Sequence, residues 1–330
     1  MKIAVIGAGA WGTALANVFS QKGLETCIWA RESGVTAKIN KDHENSWYLP
    51  GIRLDEGLHA SVDMARVCDG AEAFVWVVPT QFTRHALEQF RPHFPHKPTI
   101  ICANKGIELK TLRTMSEVVD DVLSDMKPRF AMLSGPSFAS EVCRNIPTTV
   151  TLGCSSERRG KKLQEILSSE SFRVYTNTDY RGVELGGALK NIMAIAAGVS
   201  DGLNFGSNAR AALITRGLEE MSRFGEKMGA RKATFRGLSG LGDLVLTCTG
   251  DASRNRQVGL KLGQGRKLVD ILDEMRSVAE GVKTTEAVYT LAKQKGVSMP
   301  ITEQLYQVLY EDKDPREAVT ELMTRELRDE

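Results

Sequence analysis

The chain lacks most of the patterns that announce a metal site or a covalent nucleophile. Its 330 residues include six cysteines (27, 68, 102, 143, 154 and 248), with no C-x-x-C pair and no histidine at ligand spacing. The five histidines (43, 59, 85, 93 and 96) form no H-E-x-x-H, and neither a G-x-S-x-G elbow nor a G-x-x-x-x-G-K-[ST] loop occurs. No metal is therefore expected. The scattered cysteines read as free thiols of a reducing compartment, most of them buried as small hydrophobes. An excess of one charge is missing too: 43 basic and 41 acidic side chains leave a formal net charge of +2. That balance argues against nucleic acid or an acidic membrane surface as partner, and any basic patch must be local.

Long uncharged apolar runs are also absent, so no membrane span of roughly 18–20 residues with its flanking anchors is expected. Lys2 followed by the apolar run to Phe19 superficially imitates a signal peptide. Glycines at 7, 9 and 12 give that run another purpose, and the expected location is the cytoplasm. No fixed-period repeat, low-complexity tract or flexible linker interrupts the chain.

What is present divides in two. Lys2–Ile6, Glu25–Ala30, Ala73–Val78, Thr99–Ala103 and Phe130–Leu133 are short, β-rich runs. Helical stretches, Trp11–Gln21, Gln81–Phe90 and Thr111–Leu123, lie between them, which predicts parallel βαβ units. A hairpin-like segment, Thr148–Leu152, and Arg173–Tyr175 extend the sheet. Beyond Thr178 only helical periodicity remains: Val183–Val199, Ala209–Met228, Asn255–Leu262, Val269–Met275, Thr284–Lys295 and Ile301–Tyr310. The predicted fold is α/β: a Rossmann-like, mostly parallel sheet domain over 1–178, then an all-α domain over 179–330.

Gly7-Ala8-Gly9-Ala10-Trp11-Gly12 matches G-x-G-x-x-G between a strand and an Ala-rich helix. In that context Gly7 makes the tight turn, Gly9 lets the backbone approach a pyrophosphate, and Gly12 permits close helix–strand packing. The pyrophosphate would rest on amides at the helix N-terminus. The competing reading is a glycine-rich packing turn that binds nothing. After the second strand comes Arg31, then Glu32, where NAD enzymes usually carry an acid for the ribose hydroxyls. Arginine suits a 2′-phosphate, so NADP(H) is preferred, with NAD(H) also accepted through Glu32. A solvated Arg–Glu turn is the alternative.

The segment 183–199 is apolar on nearly every face and therefore buried, yet Lys190 and Asn191 sit in its middle. A buried ammonium needs a partner. Lys190 lines a cavity, pairs with a buried acid, or snorkels to the surface. Desolvated lysines serve as acid–base catalysts near neutral pH. Gly186 and Gly187 cost helix stability and admit a close neighbour or ligand. Further polar clusters are Asn104-Lys105-Gly106 and Ser134-Gly135-Pro136-Ser137 after strands, and Gly240-Leu241-Gly242-Asp243 in a glycine-rich turn. Ser253-Arg254-Asn255 adds a helix cap beside an arginine, a suitable phosphate seat.

Together these motifs resemble the bacterial NAD(P)-dependent glycerol-3-phosphate dehydrogenases. The resemblance rests on 7–16, 104–106, 133–139, 184–191, 240–243, 253–255 and Val278-Ala279-Glu280-Gly281, in order over almost the whole chain. It implies Lys190 as acid–base catalyst between dihydroxyacetone phosphate and sn-glycerol 3-phosphate. Lys105 would polarise the carbonyl, and Asp243 would hold Lys190 and the substrate hydroxyl end. Substrate contacts would come from Gly135, Ser137, Ser253, Arg254 and Asn255. The cofactor site would comprise Gly7, Gly9, Ala10, Trp11, Gly12, Arg31, Lys105, Ala139, Arg254, Val278 and Glu280. Ala10 stands where many relatives carry serine. The resemblance further implies direct hydride transfer without metal, a cleft between the domains that closes on binding, a homodimer, and a product that supplies the phospholipid backbone. Two rivals are weighed against it. One is a related lysine-dependent dehydrogenase acting on 6-phosphogluconate or ketopantoate, disfavoured by the adjacent Lys190-Asn191. The other is an inactive NAD(P)H sensor, which has no need of a buried lysine.

Overall fold

The computed structural model describes residues 1–275 and 279–326. The chain forms two compact units, Met1–Lys105 with Arg113–Glu184, and Gly106–Leu112 with Leu185–Glu330.

The first unit begins β1 (Lys2–Ile6), α1 (Ala10–Gln21), β2 (Glu25–Trp29), α2 (Ser33–Asp42), β3 (Glu44–Asn45), β4 (Leu49–Arg53) and β5 (His59–Ser61). It continues with α3 (Met64–Cys68), β6 (Ala73–Trp76), α4 (Thr80–Phe90), β7 (Thr99–Cys102) and α5 (Met115–Leu123). It closes with β8 (Arg129–Ser134), α6 (Ala139–Cys143), β9 (Thr148–Gly153), α7 (Glu157–Leu167) and β10 (Phe172–Asn177). Eight strands make one sheet in the order β10-β9-β8-β7-β6-β1-β2-β5, and β3 and β4 form a separate antiparallel pair. All pairings in the large sheet are parallel except β8 with β9. Alternation along β1 explains its unbroken apolar sequence. Ile3 and Val5 enter the core on one face, Ala4 and Ile6 the core on the other.

The sheet corrects two expectations. Thr148–Gly153 is no hairpin arm, because α6 separates it from β8 and it pairs in parallel with β10. The helix expected from Thr111 starts at Met115. Leu112 has φ 58°, in the left-handed region, and Thr114 with Glu117 forms a capping box ahead of α5.

The helix α8 (Tyr180–Gly202) begins in the first unit and continues in the second. After it come α9 (Gly206–Lys227), a 3₁₀ turn (Lys232–Arg236), a π turn (Leu238–Gly242) and α10 (Asp243–Thr249). The remaining helices are α11 (Arg254–Gly263), α12 (Leu268–Asp273), α13 (Glu280–Lys295), α14 (Pro300–Tyr310) and α15 (Pro315–Met323). Among the described residues no strand follows β10. By length and hydropathy α8 would cross a bilayer, but its apolar window is wholly buried in the protein. Small residues explain how densely it packs. A Cβ on Gly198 or Gly202 would lie 2.0 or 2.3 Å from backbone oxygens of α11. One on Gly259 or Gly263 would lie 1.9 or 2.4 Å from those of α8. The two helices cross backbone to backbone, a spacing only glycine allows.

All six cysteines are free thiols. Glu220 of α9, buried, serves as a remote cap: its carboxylate accepts from the Ile301 and Thr302 amides at 2.9 Å. Those amides lack intrahelical partners at the start of α14.

Candidate active site

The glycine loop has the conformation its sequence requires. Gly7 takes φ +114°, and a Cβ there would sit 3.0 Å from the Val77 carbonyl. A Cβ on Gly12 would meet the Gly7 oxygen at 1.9 Å, so only glycine lets α1 start this close to β1. The loop also fits a dinucleotide. A Cβ on Gly9 would meet nothing within 4 Å. No side chain caps α1 and no acidic residue occupies its first turn, which leaves the positive end of the helix to an anion. The buried Trp11 Nε1–H has no partner among the described residues, a donor that a bound ligand would satisfy. Ala10, half-buried, opens the helix. Arg31 is 80% exposed and donates to Glu32 Oε1 at 2.8 and 3.1 Å.

At the carboxyl end of β7, the half-buried Lys105 donates from Nζ to the Gly135 carbonyl at 3.3 Å. Ser137 Oγ donates to the same carbonyl at 3.0 Å. One backbone oxygen thus gathers the lysine and the serine, and Ala139 opens α6 two residues later. This end of an open α/β sheet is where ligands bind.

In the second unit the structure resolves the readings of Lys190. Its Nζ donates to Asp243 Oδ1 at 2.6 Å and to Thr247 Oγ1 at 2.7 Å. The side chains of Lys190 and Asp243 are 9% and 1% exposed. The lysine pairs with a buried acid. It does not snorkel.

The glycine-rich turn expected at 240–243 is a correction. Leu238–Gly242 winds as a π turn that runs directly into α10, with Asp243 as its first residue. That puts Thr247 one helical turn beyond Asp243 on the same face, where its hydroxyl lies 3.2 Å from Asp243 Oδ1. Reading a helix there would have exposed Thr247, which the sequence reasoning missed. Gly186 admits a neighbouring backbone: a Cβ on it would lie 2.6 Å from the Ser239 oxygen. Gly186 is one turn before Lys190, and Ser239 is one turn before Asp243. The close backbone approach therefore sets the reach of the ion pair.

Ser253 caps α11, its Oγ accepting from Arg256 N. Asn255, buried, donates from Nδ2 to Asn191 Oδ1 at 2.9 Å and accepts from Gly281 N at 3.0 Å. Desolvation of the Arg254 guanidinium lowers its pKa from the ordinary arginine value, and the Glu280 carboxylate partly opposes that shift. Val278 lies outside the described residues.

The comparisons with known proteins cover both units. The NAD-dependent glycerol-3-phosphate dehydrogenase N-terminus matches residues 2–159, and the C-terminus of the same family matches residues 179–320. The chain belongs to this family. It is 61% identical to a glycerol-3-phosphate dehydrogenase [NAD(P)+] of Solidesulfovibrio magneticus over the full length of both chains. It is 59% identical to one of Maridesulfovibrio salexigens, again over both full lengths. The glycerol-3-phosphate dehydrogenase structure from Coxiella burnetii superposes with a TM-score of 0.93 at 42% identity, over 98% of this chain and 99% of that one. Among the described residues no group of acidic, histidine or cysteine side chains is arranged to hold a metal ion.

Proposed function

We propose that the chain catalyses the NAD(P)-dependent, reversible reduction of dihydroxyacetone phosphate to sn-glycerol 3-phosphate. The observation that carries this reading is the buried Lys190–Asp243 pair, 2.6 Å apart, with Thr247 Oγ1 as second acceptor. Held by this pair, Lys190 is assigned as the acid that protonates the C2 oxygen. In reverse the neutral amine takes the proton from the C2 hydroxyl. When bound, the nicotinamide supplies the hydride.

Lys105 is assigned to the carbonyl oxygen, where positive charge favours the developing alkoxide. Gly135 and Ser137 hold the substrate, and Arg254, beside the Ser253 cap and Asn255, takes its phosphate. The cofactor's pyrophosphate lies on the loop of Gly7, Gly9, Ala10, Trp11 and Gly12, and Arg31 takes the 2′-phosphate of the preferred NADP(H). Ala139, Val278 and Glu280 complete that site. We assign nucleotide binding to the domain over 1–178 and substrate binding and catalysis to that over 179–330. The product is the backbone of phospholipids. A cytoplasmic homodimer is part of the same proposal, and the six free thiols support the compartment.

A substrate panel tests the proposal: NADPH oxidation with dihydroxyacetone phosphate, ketopantoate and, in the oxidative direction, 6-phosphogluconate with NADP⁺. Turnover confined to dihydroxyacetone phosphate is expected. Preference for either of the other two overturns it.

A further inference from the structure

We propose that Asn45, in the short strand β3, is a positioning residue for the dinucleotide loop. This inference rests on the assignment of that loop to NAD(P)H. Asn45 is 1% exposed. Its Nδ2 donates to the Ala8 carbonyl at 2.9 Å and to Thr13 Oγ1 at 2.8 Å, and its Oδ1 lies 3.3 Å from the Tyr48 amide. Two donors meet two acceptors, so the amide has one orientation that satisfies it. Thr13, fully buried, has its hydroxyl 3.4 Å from the same Ala8 oxygen, and its amide closes the first turn of α1 on Gly9 at 2.9 Å.

The consequence follows from peptide geometry. A trans peptide is planar, so the Ala8 carbonyl and the Gly9 N–H point in opposite directions; no peptide among the described residues is cis. With the carbonyl drawn inward by Asn45, the Gly9 N–H is turned outward, on the residue where an added Cβ would meet nothing within 4 Å. Asn45 thus sets the donor direction of a loop 37 residues earlier in the chain without lining the ligand itself. Replacing it with aspartate removes both donors and sets a carboxylate against the Ala8 oxygen. The Ala8–Gly9 peptide would then flip, giving its N–H to the carboxylate and its carbonyl to the ligand.

The test is the NADPH dissociation constant, measured by calorimetry on the full chain for the parent, Asn45→Asp, Thr13→Val and Thr13→Ser, beside steady-state kinetics. Asn45→Asp is expected to weaken NADPH binding roughly tenfold or more, the loss of one charge-assisted contact. The KM for dihydroxyacetone phosphate and kcat at saturating NADPH should stay near the parent's. Thr13→Val should weaken NADPH in the same sense, and Thr13→Ser, which keeps the hydroxyl, should restore it. A folded Asn45→Asp that binds NADPH like the parent overturns the inference. So does a loss spread equally over kcat and the substrate KM, which marks a merely structural role. Should Asn45→Asp not fold, equal NADPH affinity of the Thr13→Val and Thr13→Ser proteins overturns it instead. A parent that turns over but shows no such dependence separates this failure from failure of the proposed activity, which would appear as a parent unable to bind NADPH.

Discussion

Lys190 and Asp243 form a buried ion pair between α8 and the first residue of α10, 2.6 Å from nitrogen to oxygen. Stability and chemistry make different demands on such a pair. Removing one partner leaves an uncompensated charge in the interior, while removing both leaves an apolar contact. Asp243→Leu alone should destabilise the second unit by about 3–5 kcal/mol. Adding Lys190→Met should restore much of that loss and no turnover. Denaturant titrations beside activity assays check this; a double variant as unstable as the single one contradicts it.

The spacing of that pair depends on Gly186. Alanine there places a Cβ 2.6 Å from the Ser239 oxygen, and the helix must move off the π turn. We expect a loss of about 1–3 kcal/mol, a lower kcat and an unchanged NADPH affinity. Thermal melts and calorimetry together test this, and a fully active Gly186→Ala protein would falsify the link between backbone approach and catalysis.

Coenzyme choice should follow Arg31. Its guanidinium is exposed and, among the described residues, donates to the neighbouring Glu32. Arg31→Ala should raise the KM for NADPH roughly tenfold or more, since a charged hydrogen-bond partner is lost. The KM for NADH should change little. Equal changes for the two coenzymes would remove Arg31 from the 2′-phosphate site.

Glu184 gives the fold a pH signature. Its carboxyl accepts from Ser116 N at 2.7 Å and from Ser116 Oγ at 2.8 Å. Burial nevertheless pushes its pKa up from 4.5 to about 7. Below pH 4.5 both folded and unfolded chains hold this proton. Between pH 4.5 and about 7 only the folded chain does, so ionisation favours unfolding progressively across that window. The stability of Glu184→Gln relative to the parent should therefore rise with pH through the window, by about 3 kcal/mol at most, and level off above it. A difference that is flat with pH contradicts the shift.

How much of this was legible in the sequence depends on how each element is buried. Strand β1 was read at its true limits because Ile3–Ile6 enter a core on both faces, between a charged Lys2 and the turn at Gly7. Helix α2 was not read because only Val35 and Ile39 of it are buried, too few to show a period, and α7 buries only Gly160, Leu163 and Leu167. The lysine at 190 stood out against its apolar helix, but its partner was placed in a turn because glycines at 240 and 242 argue against a helix. The structure winds them into a π turn under close contact: a Cβ on Gly240 would lie 2.1 Å from the Phe235 oxygen. The crossing of α8 with α11, and the reach of Asn45 to Ala8, join residues far apart in sequence. No local pattern marks either one.

The most direct test of the account is NADPH oxidation on adding dihydroxyacetone phosphate, measured for the parent and for Lys190→Ala at saturating coenzyme. The account predicts rapid turnover by the parent and near-abolition in a folded, NADPH-binding Lys190→Ala protein. Turnover that survives the substitution would contradict Lys190 as the acid–base residue, and a folded parent without turnover would contradict the activity itself.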